Sequence, residues 1–175
     1  MIEKPEIVQL GAEVLRLHAR PVDDFYVEEF QRLIEVMHAM MLDSNGVGIA
    51  APQLGFSLQI VIIASRPTAR YPKAPEMSPL LLVNPRYQVV DETLIKDWEG
   101  CLSVPGIRAL VPRYRAVKVD YQDAQGMARQ IDLRDFPARV FQHEFDHLQG
   151  LVYLDRVESN RDIISESEFF KRLAA

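Results

Sequence analysis

The sequence predicts an α+β fold, in which antiparallel strands pack around a central helix that carries an H-E-x-x-H motif, with one helix before the strands and one after them. Three observations support this prediction. An amphipathic segment occupies about 27–43, and strand-like segments follow one another between 58 and 133. The motif itself lies in a segment, about 139–148, that is compatible with a helix. A block of strands flanked by helices indicates an α+β fold.

The first predicted helix runs from about Val27 to Asp43. Its apolar residues recur at the i, i+3, i+4 and i+7 spacing of a buried helix face. Asn45-Gly46 follows directly, and such a pair is typical of the end of a helix. The apolar residues are Val27, Phe30, Leu33, Ile34, Met37 and Met41.

The strand block begins with Leu58 to Ala64, a continuous apolar run that predicts a buried strand. The segment from Ser65 to Pro79 contains prolines at 67, 72, 75 and 79, which predicts a surface loop. Further strands are expected at about 80–84, 86–92, 107–111, 114–121 and 127–133, the last two joined by a hairpin turn at 123–126.

Two helices are predicted in the C-terminal part. The helix with the motif is expected from Arg139 to Leu148 and to stop at Gly150. A last helix is expected from about Ser159 to Leu173. With 175 residues and 48% hydrophobic content, a single domain is the natural expectation.

Composition argues against two classes of partner. The formal net charge is -5, whereas phosphate binding usually shows as a basic surface, so we expect no direct sequence-specific nucleic-acid binding. The apolar runs are too short to span a bilayer, and the N-terminal residues do not resemble a secretion or transit signal. We therefore expect no membrane partner and a cytoplasmic location.

The H-E-x-x-H motif is the strongest chemical signal in the chain. On a helix, positions i and i+4 lie on one face, so His143 and His147 can bind the same metal ion. Glu144 lies beside the first ligand, where it can take a proton from a metal-bound water. The spacing therefore predicts that a metal-activated water attacks a carbonyl group.

A catalytic site of this kind takes a third protein ligand, and the residues leave two candidates. Glu166 or Glu168 in the C-terminal region would make the protein a zinc peptidase. Cys101, which follows Gly100, is a strong metal ligand as a thiolate. A non-enzymatic alternative is a module that binds nascent chains and keeps a structural metal, but Glu144 favours catalysis because a structural site has no use for a base.

The segment G-V-G-I-A-A-P-Q at 46–53 superficially matches a dinucleotide-binding fingerprint. That interpretation is weak, because the fingerprint needs a strand before it and a helix after it. The alternatives are a simple helix end with a loop, or a glycine-rich edge whose backbone pairs with an extended peptide. In the second case, the Gln53 amide can donate a hydrogen bond to an oxyanion.

Three segments together resemble the three motifs of peptide deformylases, in the same order. They are G-V-G-I-A-A-P-Q at 46–53, E-G-C-L-S at 99–103 and Q-H-E-F-D-H-L at 142–148. Peptide deformylases remove the N-formyl group from the N-terminal formyl-methionine of newly made polypeptides and release formate. The resemblance implies a single catalytic domain over 1–175, with a deformylase-like core at about 8–156 and a C-terminal tail or helix at 157–175.

The resemblance also implies the metal ligands and the metal. Cys101, His143 and His147 would bind one divalent ion, which decides against the C-terminal glutamates. Ferrous iron is expected as the native metal, with zinc or nickel as alternatives, because this set of ligands suits several metals.

The catalytic groups follow by motif position. Glu144 would accept a proton from water and later deliver it to the leaving amine. The Gln53 side-chain amide and the Leu102 backbone N–H would stabilise the negative charge that develops on the formyl oxygen.

The resemblance further places the substrate. An extended peptide would bind backbone groups near Val47, Gly48 and Gly100, and its methionine side chain would enter an apolar pocket formed with Phe136 and Val140. The expected partners are N-formylmethionyl peptides and nascent chains, with association with the ribosome as a further possibility.

Four charged residues near the motifs complete these expectations. Glu99 is expected to pair with Arg113 as structural support. Arg139 is expected to lend its aliphatic stem to the pocket with its charge turned outward. Asp146 is expected either to orient a ligand imidazole or to be a simple exposed acid.

Overall fold

The computed structural model describes residues 6–174, and within them the expectation of three helices and an antiparallel sheet is confirmed. The helices are α1 (Glu28–Asp43), α2 (Asp135–Leu148) and α3 (Glu166–Ala174). The strands are β1 (Gly48–Ala50), β2 (Ile60–Ser65), β3 (Met77–Cys101), β4 (Val104–Gln122), β5 (Ala128–Arg134) and β6 (Ile163–Ser165). No helix in this range is long and apolar enough to cross a membrane.

The sheet has the order β1-β2-β3-β4-β5, and β6 pairs with β4. All the pairs are antiparallel. Strand β1 pairs with β2 on one side and ends the order, so it is an edge strand. This position leaves its other side available for a further strand or an extended peptide.

Strand β2 is buried on both faces, which explains its continuous apolar sequence. Ile60 and Ile62 point into a core shared with α1 residues such as Met37. Val61 and Ile63 point to the opposite side, into a core shared with Phe141 of α2. Because successive side chains of a strand point to opposite faces, a strand between two helices needs an apolar residue at every position.

Strands β3 and β4 form one long hairpin where shorter strands were predicted. The segments at 80–84 and 86–92 are both part of β3, and those at 107–111 and 114–121 are both part of β4. Register shifts interrupt the pairing at several points, and such bulges also break the alternating pattern on which the prediction depended. The hairpin closes tightly, because Cys101 pairs with Val104.

The predicted helix boundaries in the C-terminal part need two corrections. Helix α2 begins at Asp135, four residues before the predicted start at Arg139, and Pro137 lies in its first turn, where proline is tolerated. The predicted helix from Ser159 is wrong in its first half, because β6 forms there and pairs with β4 before α3 begins. Gly150 stops α2 as expected, with a positive φ of 72°.

Candidate active site

Three side chains that can bind a metal converge from two elements. Cys101 is the last residue of β3, whereas His143 and His147 lie one turn apart on α2. Their potential ligand atoms all lie within 4.8 Å of one another, and Cys101 Sγ is 3.3 Å from His147 Nε2. Within residues 6–174, Glu166 and Glu168 are not part of this group.

The chemistry of these three groups fits a divalent metal ion. One thiolate and two imidazoles suit iron, zinc and nickel. Burial lowers the pKa of His147 well below its usual value, and the neighbouring His143 adds to this effect. The His147 imidazole is therefore neutral, which is the form that binds a metal.

Glu99 holds the His143 imidazole, the other imidazole of this group, in place. His143 Nδ1 lies 2.9 Å from Glu99 Oε2, so a proton on Nδ1 leaves Nε2 free to bind a metal. The Glu99 carboxylate also accepts hydrogen bonds from Arg113 Nε at 2.9 Å and Arg139 Nη1 at 2.8 Å. Burial acts to raise the pKa of Glu99, but the Arg113 charge and the hydrogen bonds outweigh it, so this pKa lies well below its usual value.

Two of the expectations about these charged residues are wrong. The guanidinium of Arg139 is buried against Glu99 and also donates to the carbonyl of Val111 at 2.8 Å, so its charge is not turned outward. Asp146 is neither exposed nor a partner of a ligand imidazole. Its carboxylate accepts from Arg113 Nη1 at 2.6 Å and from Arg156 Nη2 at 2.7 Å, and thereby extends the cluster to the surface.

The Gln53 side chain is held with its amide nitrogen toward Cys101. It lies in a short 3₁₀ segment after β1 and is only 1% exposed. Its Oε1 accepts from the Ala50 backbone N–H at 2.8 Å, which fixes the orientation of the amide. Its Nε2 lies 3.5 Å from Cys101 Sγ and 3.4 Å from Ser103 Oγ. Leu102 lies in the two-residue turn that joins β3 to β4.

Glu144 is buried beside β1. Its Oε2 has no hydrogen-bond partner among the described atoms, and burial raises the pKa of this carboxyl to about 7. The backbone of β1 approaches it closely, because a Cβ added at Gly48 would lie 2.8 Å from Glu144 Cδ. Glycine at position 48 therefore makes room for the carboxylate.

One cleft brings these groups together with the residues expected to bind substrate. Cys101, His143, Glu144 and Gln53 line it. The residues predicted for the substrate backbone and the methionine pocket line it too: Val47, Gly48, Gly100, Phe136 and Val140. Leu102, which was predicted as an oxyanion donor, also lines it.

The cleft also contains residues that the sequence did not indicate as site residues, together with Glu166, which it indicated only as a possible metal ligand. Arg70 and Tyr71 come from the proline-rich loop, Arg108 from β4 and Glu166 from α3. No local motif marks these positions, because the fold alone brings them to the cleft. Glu166 was considered as a metal ligand, but its carboxylate is paired with Arg108 Nη2 at 2.5 Å.

A cysteine and two histidines close enough to share one metal ion, next to a buried carboxylate that lines a cleft, are typical of a metal-dependent hydrolase. The chain belongs to the polypeptide deformylase family, whose family model matches residues 4–162. It is accordingly a metal-dependent hydrolase that removes the N-formyl group from newly made polypeptides.

Relatives and solved structures agree with this assignment. The chain is 48% identical over 163 residues to peptide deformylase 2 of Nostoc sp., covering 93% of this chain and 91% of that protein. It is 45% identical over 150 residues to peptide deformylase 2 of Shewanella oneidensis, covering 86% and 82% respectively. It is also similar to a class I type b peptide deformylase from Acinetobacter baumannii solved with Met-Ala-Ser, with a TM-score of 0.86, 42% identity, and coverage of 90% of this chain and 100% of that chain.

Proposed function

We propose that this chain hydrolyses the formyl group from N-terminal formyl-methionine with a metal ion held by Cys101, His143 and His147 and with Glu144 as the acid–base residue. One observation carries the proposal: three potential metal ligands converge beside a buried carboxylate that has a free oxygen among the described atoms. The proposal makes α2 a metal-binding helix and the whole of 1–175 a single catalytic domain.

Cys101, His143 and His147 would hold one divalent ion. We propose ferrous iron as the native metal, with zinc or nickel able to replace it. When bound, such an ion lowers the pKa of water and polarises a carbonyl oxygen. The contacts of Glu99 support this assignment, because they orient His143 before any ion is bound.

Glu144 is proposed to move one proton twice. It accepts a proton from the attacking water as the new C–O bond forms at the formyl carbon. It then delivers that proton to the amine nitrogen as the C–N bond breaks, which releases formate and a free amino terminus. Burial raises the pKa of this carboxyl to about 7 in the metal-free protein, and a raised pKa brings a carboxyl closer to the operating pH at which it can both accept and donate a proton.

Gln53 and Leu102 are proposed to stabilise the negative charge on the formyl oxygen. The Gln53 amide is already oriented, because Ala50 N–H holds its oxygen and leaves the NH₂ group toward the cleft. The Leu102 backbone N–H lies in the tight turn after Cys101. One preorganised donor of this kind contributes a factor of about 10²–10³ in rate.

The substrate is proposed to extend along β1. This edge strand offers unpaired backbone beside Val47 and Gly48, and Gly100 approaches from the other wall of the cleft. Phe136 and Val140 project from α2 into the same cleft and supply apolar surface for the methionine side chain. Binding to nascent chains at the ribosome and a cytoplasmic location stay predictions.

Formate release from a formyl-Met-Ala-Ala peptide tests the proposal. The protein is assayed anaerobically with ferrous iron, and the metal content of the same sample is measured. We expect formate from the wild-type protein and almost none from Glu144→Gln, which has the same shape and keeps the metal. A Glu168→Gln variant, altered on the exposed face of α3, serves as the control. No formate from metal-loaded wild-type protein would overturn the proposal.

A further inference from the structure

One wall of the cleft is built by two regions that the hydrolysis does not use. The proline-rich loop contributes Arg70 and Tyr71, and the C-terminal helix α3 contributes Glu166. Arg108 of β4 lies between them and contacts both regions. The loop and the helix therefore form part of the cleft and are not distant from the site.

Arg108 is the centre of this wall. Its side chain is only 5% exposed, and its Nη2 pairs with Glu166 Oε1 at 2.5 Å. Its Nη1 lies 3.5 Å from the Tyr71 hydroxyl, and its guanidinium lies 5.4 Å from the centre of the Phe169 ring. Its Nε is buried without a partner among the described atoms.

The Arg108 guanidinium also lies directly against Gly100. A Cβ at position 100 would lie only 2.8 Å from Arg108 Nε and closer still to Nη1, so a side chain there would displace the guanidinium. Gly100 is the position proposed to meet the substrate backbone. A positive charge is therefore held beside the position where the substrate backbone is proposed to bind.

The wall carries more positive than negative charge. Arg70 Nε lies 3.9 Å from the same Glu166 oxygen that Arg108 holds, so one carboxylate serves two guanidinium groups. The side chains of Arg70 and Glu166 are 33% and 31% exposed, which leaves them accessible from the open cleft. The other acid close to Gly100, Glu99, is already paired with Arg113 and Arg139.

We propose that Arg70, Arg108 and Glu166 form a charge-selecting subsite for the substrate residues that follow the formyl-methionine. The subsite favours acidic over basic side chains at the second or third position of the peptide. Glu166 is a positioning residue: it holds Arg108 against Gly100 and moderates the positive charge of the wall. This inference rests on the proposed function, because it assumes that a formylated peptide binds along Gly100.

Matched peptides test the subsite. The series formyl-Met-Ala-X and formyl-Met-X-Ala, with X as Glu, Gln or Lys, are compared by kcat/KM. The wild-type protein should prefer Glu over Lys in at least one series. In Glu166→Gln the ratio of Glu to Lys peptides should rise by about threefold or more, mainly through KM, since one charge a few ångströms away in a water-filled cleft has an effect of this size. High salt should reduce the ratio.

Two further variants separate the subsite from a general structural effect. Arg70→Gln should lower the ratio of Glu to Lys peptides, the opposite direction. Glu168→Gln lies on the same helix, outside the cleft lining, and should leave the ratio unchanged. Because each ratio compares peptides on one preparation, partial loss of folded enzyme does not alter it.

The two possible failures are distinguishable. If wild-type protein releases no formate from the peptides with Gln, the proposed function itself has failed. If those peptides are deformylated but the ratio of Glu to Lys peptides is the same in the wild type, Glu166→Gln and Arg70→Gln, the subsite proposal is overturned and the proposed function stands.

Discussion

Replacement of Gly48 by alanine should disable Glu144 without touching the metal ligands. A Cβ at position 48 would lie 2.8 Å from both Cδ and Cγ of Glu144 and closer still to Oε1, whereas ordinary contacts begin at 3.4 Å. The carboxylate must therefore withdraw by on the order of 1 Å, and a misplacement of that size can reduce a rate by about 10²-fold. We expect Gly48→Ala to lose about that much kcat on a formyl-Met peptide while the metal content stays normal.

A double-mutant cycle shows whether the effect acts through Glu144. Forcing the extra methyl group into the site should destabilise the protein by about 1–3 kcal/mol, measured by urea unfolding. In a Glu144→Ala background the obstructing carboxylate is absent, so Gly48→Ala should then have little effect on stability or on residual activity. Equal losses of stability in both backgrounds, or a wild-type kcat in Gly48→Ala, would refute the reasoning.

Three more substitutions examine the metal, the oxyanion and the buried arginine. Cys101→Ala should lose the metal on dialysis whereas Glu168→Ala keeps it, as metal analysis of both variants would reveal; a metal-loaded Cys101→Ala would contradict the ligand assignment. Gln53→Ala should keep the metal but lose about 10²–10³-fold in kcat, and full activity would remove Gln53 from the oxyanion site. Arg139→Met should lower the free energy of unfolding by about 3 kcal/mol, because it removes the donor to the buried Glu99 carboxylate and Val111 carbonyl. A loss below about 1 kcal/mol, measured by denaturant unfolding, would contradict this.

The local sequence correctly predicted the helix and the strand whose spacing of apolar residues depends only on which of their faces are buried. Helix α1 has one buried face, and β2 is buried on both sides, so their apolar spacing reports their surroundings directly. The long hairpin was predicted only as fragments, because bulges interrupt its alternation and Pro112 lies inside β4, opposite Lys96. Strand β6 was missed because three residues carry too little pattern to distinguish a strand from a helix end.

The same distinction applies to the site. The two histidines and Glu144 could be assigned to one site from spacing alone, since one helix turn brings them together. Cys101 and Gln53 required the resemblance to a family, because no spacing joins residues on different elements. Arg108 and Glu166 meet only because β6 returns the chain to β4, and nothing in either segment indicates that contact.

The buried charges around Glu99 are better explained by positioning than by stability. Taking a carboxylate and two guanidinium groups out of water is costly, and an apolar cluster of similar volume is often as stable. The cluster nevertheless joins the two elements that carry the proposed metal ligands, because Glu99 lies two residues before Cys101 on β3 and Arg139 lies one turn before His143 on α2. Each hydrogen bond to Glu99 thus restrains the distance between the Cys101 sulfur and the two imidazoles. A site that must hold its ligands in place before the ion arrives gains from such rigidity, which an apolar contact with several equivalent packings does not supply.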